Sequence, residues 1–339
     1  MAVMGKPGDV VAVVVSVGLI GSAGWRVVTA GSGPAAEASE VASIETSDAV
    51  LESAAKLIRE GKTEQAATVL RAAVREHPDE QAFRVSLARA LVLLDDSAEG
   101  YRQYEAALAI GPRPAELEFQ AGTVASMAGL PERAIEHYSA ARSAEPGHPD
   151  YPLYLGQVKL ATGELDEARA SLLAAALLDE ERAVVWGTLA EIALRKNEAT
   201  LAVQHAARAR ELEPRVTAWR LIEARALKRA GDAERALAVL DGVEPADAGS
   251  ASVLRLASEC LGLLGEPAEA ARRYTEVASV RTGEGVAALA LEASTWNERA
   301  GDVTAAIEMA DRAVLLAAQA DEAEVGERAA KRAERLRGG

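Results

Sequence analysis

Side chains able to do chemistry are few in this sequence and widely spaced. The four histidines, His77, His137, His148 and His205, form no HExxH pair and no other spacing that converges on a metal ion. Cys260 is the single cysteine, so an internal disulfide, a CxxC redox pair and a cysteine zinc module are all excluded. It reads as a small buried hydrophobe, and His205 as an ordinary helix residue. Asp95-Asp96 and Glu180-Glu181 have the composition of a general acid–base pair. Both fall beside helix boundaries, where a carboxylate favours the N-terminus of the following helix. Gly283-Glu284-Gly285 reads as a loop rather than a phosphate cradle. No catalytic residue, cofactor site, metal site or small-molecule substrate is expected, and the chain reads as a non-enzyme.

The elements that would position such groups follow a period. Gly61, Asp95, Gly129, Gly163, Asn197, Gly231 and Gly265 stand 34 residues apart, and Gly301 follows after 36. All eight tolerate the left-handed backbone needed just past a helix end. Seven residues before each lies a small residue: Ala54, Ala88, Gly122, Gly156, Ala190, Ala224, Ser258 and Ser294. Five residues after each lies another, from Ala66 and Gly100 through Ala134, Ala168, Ala202, Ala236 and Ala270 to Ala306. Leu70, Tyr104, Tyr138, Leu172, Leu240 and Tyr274 stand one helical turn further on and fill the same face. Pro78, Pro112, Pro146 and Pro214 then stop the second helix by removing a donor and clashing with the preceding turn. The chain is rich in alanine, so the joint register, not any one position, is the signal. It predicts two helices per unit, joined by a tight turn and crossing through their smallest side chains.

With period, small and large positions and proline in phase, residues 47–320 resemble the tetratricopeptide repeat (TPR) family. GLPERAIEHYSAARSAEP (129–146) and GELDEARASLLAAALLD (163–179) carry the likeness most clearly. Trp186 alone keeps the family's early aromatic, and Lys159 and Asn297 replace its later tyrosine. The resemblance implies an all-α, right-handed α-solenoid of about eight helix-turn-helix repeats, with first helices lining a concave groove that takes peptides or helices. Transferring the register brings Phe119, Thr123, Tyr154 and Gln157 to that wall in the third and fourth repeats. Arg225, Lys228, Arg229 and Arg255 take the same surface in the sixth and seventh. The first set suits apolar side chains and peptide amides, the second carboxylates. Packing for the two aromatics, and balance of neighbouring acids for the basic residues, stand as alternatives. The Lys/Asn/Arg set with which some family members clamp a terminal carboxylate is not at its positions, so chaperone-tail recognition is not expected.

The ends differ in composition. After a short tail, residues 1–9, the run VVAVVVSVGLIGSAGW (10–25) carries no charge. Extended past Arg26 to residue 30 it spans about 31 Å as a helix, enough for a bilayer. Residues 10–30 therefore read as a transmembrane anchor, with a signal segment cleaved at Gly21-Ser22-Ala23 or Val28-Thr29-Ala30 as the alternative. Lys6 and the amino group put the N-terminus in the cytoplasm and the repeats outside it. Residues 31–46 read as a flexible tether, and 321–339 as a capping helix whose polar face closes the last repeat.

Across all 339 residues the net charge is −15, which disfavours sequence-independent nucleic-acid binding. An RNA-binding helical repeat is disfavoured also by the 34-residue spacing. The Ala/Arg/Val/Gly-rich, Lys-poor usage suggests a bacterial source. The expected function is a membrane-tethered scaffold for partner proteins at the bacterial cytoplasmic membrane. Its solenoid is expected to be periplasmic or extracytoplasmic, and by family resemblance to serve as an assembly factor for an envelope complex. The alternative function is a dedicated structural subunit of a stable membrane complex; the alternative location is secretion after signal cleavage.

Overall fold

The computed structural model describes residues 34–338, with side chains from residue 47. The predicted anchor, residues 10–30, lies outside the described residues. Among those described, no helix is long and apolar enough to cross a membrane. The chain divides into residues 1–50 and residues 51–339. In the first unit the described stretch, from Pro34, is helical.

The second unit holds the repeats. In chain order, the part of α1 (Pro34–Arg59) that follows residue 50 leads into α2 (Thr63–Glu76), and then α3 (Gln81–Leu93) pairs with α4 (Ser97–Ile110), α5 (Ala115–Met127) with α6 (Pro131–Ala144), and α7 (Asp150–Thr162) with α8 (Leu165–Leu178). Then follow α9 (Ala183–Arg195) with α10 (Ala199–Leu212), α11 (Thr217–Arg229) with α12 (Ala233–Asp241), a single turn α13 (Pro245–Ala248), α14 (Ala251–Leu263) with α15 (Pro267–Val280), α16 (Val286–Arg299) with α17 (Val303–Ala320), and finally α18 (Ala323–Gly338). No strand occurs among the described residues. First helices of neighbouring repeats touch directly, α7 with α9, α9 with α11 and α11 with α14, while second helices sit between the first helices before and after them. Spacing is therefore tighter along the first-helix layer, and the α-solenoid curves with that layer inside.

Each predicted turn residue adopts the left-handed conformation, from φ 61° at Asn197 to 88° at Gly163. The residue after each turn donates its N–H to the carbonyl five residues earlier at 2.8–2.9 Å, as in Leu130 to Ala125 and Asp232 to Leu227. This Schellman closure satisfies carbonyls that a helix end leaves open. Asp96, Asp232 and Asp302 then cap the second helix, accepting from Glu99, Arg235 and Ala305 at 3.1, 3.1 and 2.9 Å. Asp321 repeats the geometry at φ 58°, with Glu322 N–H on Ala317 O at 2.9 Å. The closing helix is thus reached through a ninth turn of the same kind, which residue type alone did not mark.

The small positions are buried at every crossing, and so are the large residues that follow them. A Cβ at Gly156 would lie 2.7 Å from Leu172 Cγ and 3.2 Å from Ala168 O; one at Gly122 would lie 2.9 Å from the Tyr138 ring. The helices therefore cross at a separation set by a missing side chain. The Gly283-Glu284-Gly285 segment is a loop, with both glycines at positive φ, 107° and 78°.

Two expectations need correction. Helix α1 begins at Pro34, inside the segment read as a flexible tether. Low apolar content does not preclude a helix, since Ala and Glu are good helix formers and proline is favoured in a first turn. The sixth repeat is irregular: α12 has nine residues where most second helices have fourteen. Gly242 and Pro245 interrupt it, and α13 supplies one turn in its place.

Glu269, in the first turn of α15, accepts from Arg272 at 2.6 Å and Arg273 at 3.0 Å, and Arg273 also reaches Asp241 of α12 at 2.8 Å. The hydrogen bond from Arg272 is the foremost cause holding its carboxyl at about 2 instead of 4.5. A depressed carboxyl stabilises the fold above its unfolded pKa, and that contribution is lost as pH falls from about 4.5 to about 2. Glu269→Gln is expected to lower the melting temperature at neutral pH, and the gap to the parent should close on titration to pH 2. Ala168→Phe is expected to destabilise by roughly 1–3 kcal/mol through overpacking, and Glu167→Phe, at an exposed position, by under ~0.5 kcal/mol. Urea unfolding of both variants checks the register.

Candidate partner-binding face

The inner layer of the third and fourth repeats carries an aromatic patch. Phe119 and Thr123 lie one turn apart on α5, and Tyr154 and Gln157 one turn apart on α7. All four are half-buried. The Phe119 ring stands 5.1 Å from Tyr154, edge to face, and 5.3 and 5.6 Å from the buried rings of Tyr151 and Tyr138. Tyr138 donates its hydroxyl to Thr123 Oγ1 at 3.2 Å. Burial pushes that phenol up to about 12, so it remains a neutral donor near pH 7. Thr123 in turn donates to the Phe119 carbonyl at 3.0 Å. The Gln157 amide has no hydrogen-bond partner among the described residues. The two aromatics are thus both packing groups and exposed surface, while Gln157 leaves an amide for a peptide backbone.

The basic set is arranged differently. Arg225 pairs with Glu191 of the preceding repeat at 2.9 Å, Lys228 pairs with Glu259 of the following one, and Arg229 donates to Asn197 Oδ1 at 2.8 Å. Three of the four residues therefore fasten one repeat to the next. Arg255 is exposed and makes no ion pair among the described residues. The spacing could have signalled this: Glu191 and Arg225 are 34 residues apart, equivalent positions carrying opposite charges. Beside this set, an open cavity of about 970 Å³ is lined by Lys228, Glu259, Leu263, Trp296 and Arg299, with the Arg299 guanidinium 4.6 Å over the Trp296 ring.

One polar cluster was not anticipated. Glu118, 3% exposed, and His137, 4% exposed, meet at 2.7 Å between Oε2 and Nδ1. Arg113 donates to the other Glu118 oxygen at 2.6 Å; Glu105 and the Tyr101 hydroxyl approach His137 Nε2 at 3.2 and 3.3 Å. Carboxylate, imidazole and phenol stand in a row, but Glu118, His137 and Tyr101 are all buried out of reach of a substrate. The cluster ties α4, α5 and α6 together, as a fully partnered buried network does. No group of three His, Cys, Asp or Glu side chains is placed to hold a metal ion among the described residues. Cys260 is buried, which raises its thiol pKa. His205 is half-buried with its ring 5.6 Å from Trp186, and burial, aided by the Arg169 charge, lowers its pKa.

Comparison with known proteins gives this arrangement a family. Residues 54–113 and 125–192 each match a sequence profile described as tetratricopeptide repeat. The chain carries tetratricopeptide repeats. Its TPR fold is similar to a tetratricopeptide repeat protein of Parabacteroides merdae, with TM-score 0.53 and 16% identity over 71% of this chain and 96% of that one. It is similar also to PilF of Pseudomonas aeruginosa, with TM-score 0.52 and 20% identity over 63% of this chain and 98% of that one. No curated protein matches the TPR chain by sequence.

His137→Ala leaves Glu118 buried with Arg113 as its remaining partner, and is expected to cost roughly 1–3 kcal/mol. Arg225→Ala, at a half-exposed pair, is expected to cost under ~1 kcal/mol. Denaturant titration of the two variants side by side distinguishes them.

Proposed function

We propose that this TPR protein is a membrane-tethered, non-enzymatic scaffold that holds partner peptides or helices in the inner groove of its repeats. The observation that carries the reading is the half-buried aromatic patch of Phe119 and Tyr154 with the unpartnered Gln157 amide beside it. Aromatic surface next to an amide suits a backbone with one anchoring apolar side chain. Arg255 and the Arg299–Trp296 stack supply positive charge further along the same layer. Acidic groups of a partner would meet Arg255 in preference to Arg225 or Lys228, whose charges are already matched.

The uncharged run at residues 10–25 supports attachment to a bacterial cytoplasmic membrane with the repeats on the extracytoplasmic side. A scaffold so placed fits an assembly role in an envelope complex.

Photo-crosslinking from position 154 in cells, with position 139 on the outer layer as control, tests the groove. A partner trapped from 154 alone should bind the purified protein, and Phe119→Ala with Gln157→Ala should weaken that binding about tenfold or more in calorimetry. Equal trapping from both positions, or unchanged affinity, defeats the reading. Removal of residues 1–33 should release the protein from the membrane fraction, and external protease should reach the repeats only after the outer membrane is opened.

A further inference from the structure

Several second helices expose a large apolar residue, such as Val280 on α15 and Leu315 on α17, but among the described residues α8 alone exposes three leucines within six positions. On α8 the side opposite the core presents Leu173 and Leu177, 43% and 88% exposed, with Ala170 and Ala174 on the same stripe and Leu178, 43% exposed, at its edge. The corresponding positions of other second helices carry Arg71 and Arg75 in α2, Glu105 and Ala109 in α4, Ser139 and Ser143 in α6, Ala207 and Glu211 in α10, Thr275 and Ser279 in α15, and Asp311 and Leu315 in α17. None of these pairs holds two large apolar residues, as α8 does with Leu173 and Leu177. The core does not use them: Ala168, Leu172 and Ala175 already fill the buried side of α8.

We propose that the outward face of α8 docks an amphipathic helix whose apolar stripe is flanked by basic residues. Charge selects this occupant. Exposed Glu167 lies at the start of the helix, and exposed Glu180 and Glu181 lie just past its end, so the leucines are bracketed by acid at both ends. The acids that do have partners, Asp166 with Lys196 and Asp179 with Arg182, leave these three free to face a ligand. A second copy of the chain fits poorly. Antiparallel pairing of two α8 helices sets Glu167 against Glu180 and Glu181, and parallel pairing sets each acid against itself, so both arrangements oppose like charges. Three leucines also fall far short of the roughly 800 Å² that a globular partner covers on one side, whereas one helix needs only such a stripe. This face is on the opposite layer from the groove proposed above and stands independently of it.

The test uses the full chain and a fluorescent synthetic helix of about five turns (~18 residues) with leucines spaced four, three and four apart and lysines at both ends. A second peptide has glutamates in place of the lysines. Anisotropy titration should show binding of the lysine peptide, weakened about tenfold or more by Leu173→Ser with Leu177→Ser, and weakened likewise by the exchange of lysine for glutamate. Phe119→Ala should leave it unchanged, and circular dichroism should show the serine variant still folded, since both leucines face solvent. The proposal is overturned if the lysine peptide does not bind, if the serine variant or the glutamate peptide binds as well as the parent pair, or if sedimentation shows a leucine-dependent dimer of the chain.

Discussion

The structure depends on close approach at the crossing of each helix pair. Two helices meeting through Ala168 and Gly156, or Ala134 and Gly122, leave no room for a larger side chain, so separation and angle are set by what is absent. The next turn then receives Leu172 or Tyr138, whose bulk fills the widening space. This geometry is reproducible only if the connecting turn always reverses the chain in the same way. A left-handed residue with a Schellman bond to the carbonyl five back achieves that at every junction, whether the residue is Gly, Asp or Asn. Regular spacing follows from a local rule applied repeatedly, and the long-range order of the solenoid needs no long-range pairing.

That locality explains what could be read from residue types. Turn residues, small residues and helix-ending prolines act within one unit, so their spacing sufficed to place the eight helix pairs. Features that depend on competition between signals were harder. The sixth unit keeps its small residue, Ala236, and its large one, Leu240, and the register implies a full second helix; Gly242 and Pro245 prevail over it. At residues 34–46 low apolar content and high helix propensity point different ways, and propensity decides.

The candidate site was legible in location and less so in chemistry. The register placed Phe119 and Tyr154 on the inner layer, but their partners there, Tyr138 and Tyr151, come from a second helix and the next repeat. Arg225, Lys228 and Arg229 read as a basic patch when taken alone. Their charges are answered across repeats by Glu191, Glu259 and Asn197, a pairing that becomes visible only when the sequence is folded at its period. Glu118 and His137 were invisible for a related reason: neither is unusual by itself, and only the antiparallel pairing of α5 and α6 sets them face to face. Leu173 and Leu177 stand out only as a pair, against Ser139 and Ser143 one period before and Ala207 and Glu211 one period after.

The shortened α12 bears on how the array comes apart. In a linear stack, cooperativity passes from neighbour to neighbour, and a junction with less buried surface between adjoining units transmits it least. The sixth unit offers its successor nine helical residues and a single detached turn where its fellows offer a continuous rod. Stability in such a stack is a sum over units and interfaces, and the sixth unit, whose second helix is five residues shorter than most of its fellows', adds less helix of its own to that sum.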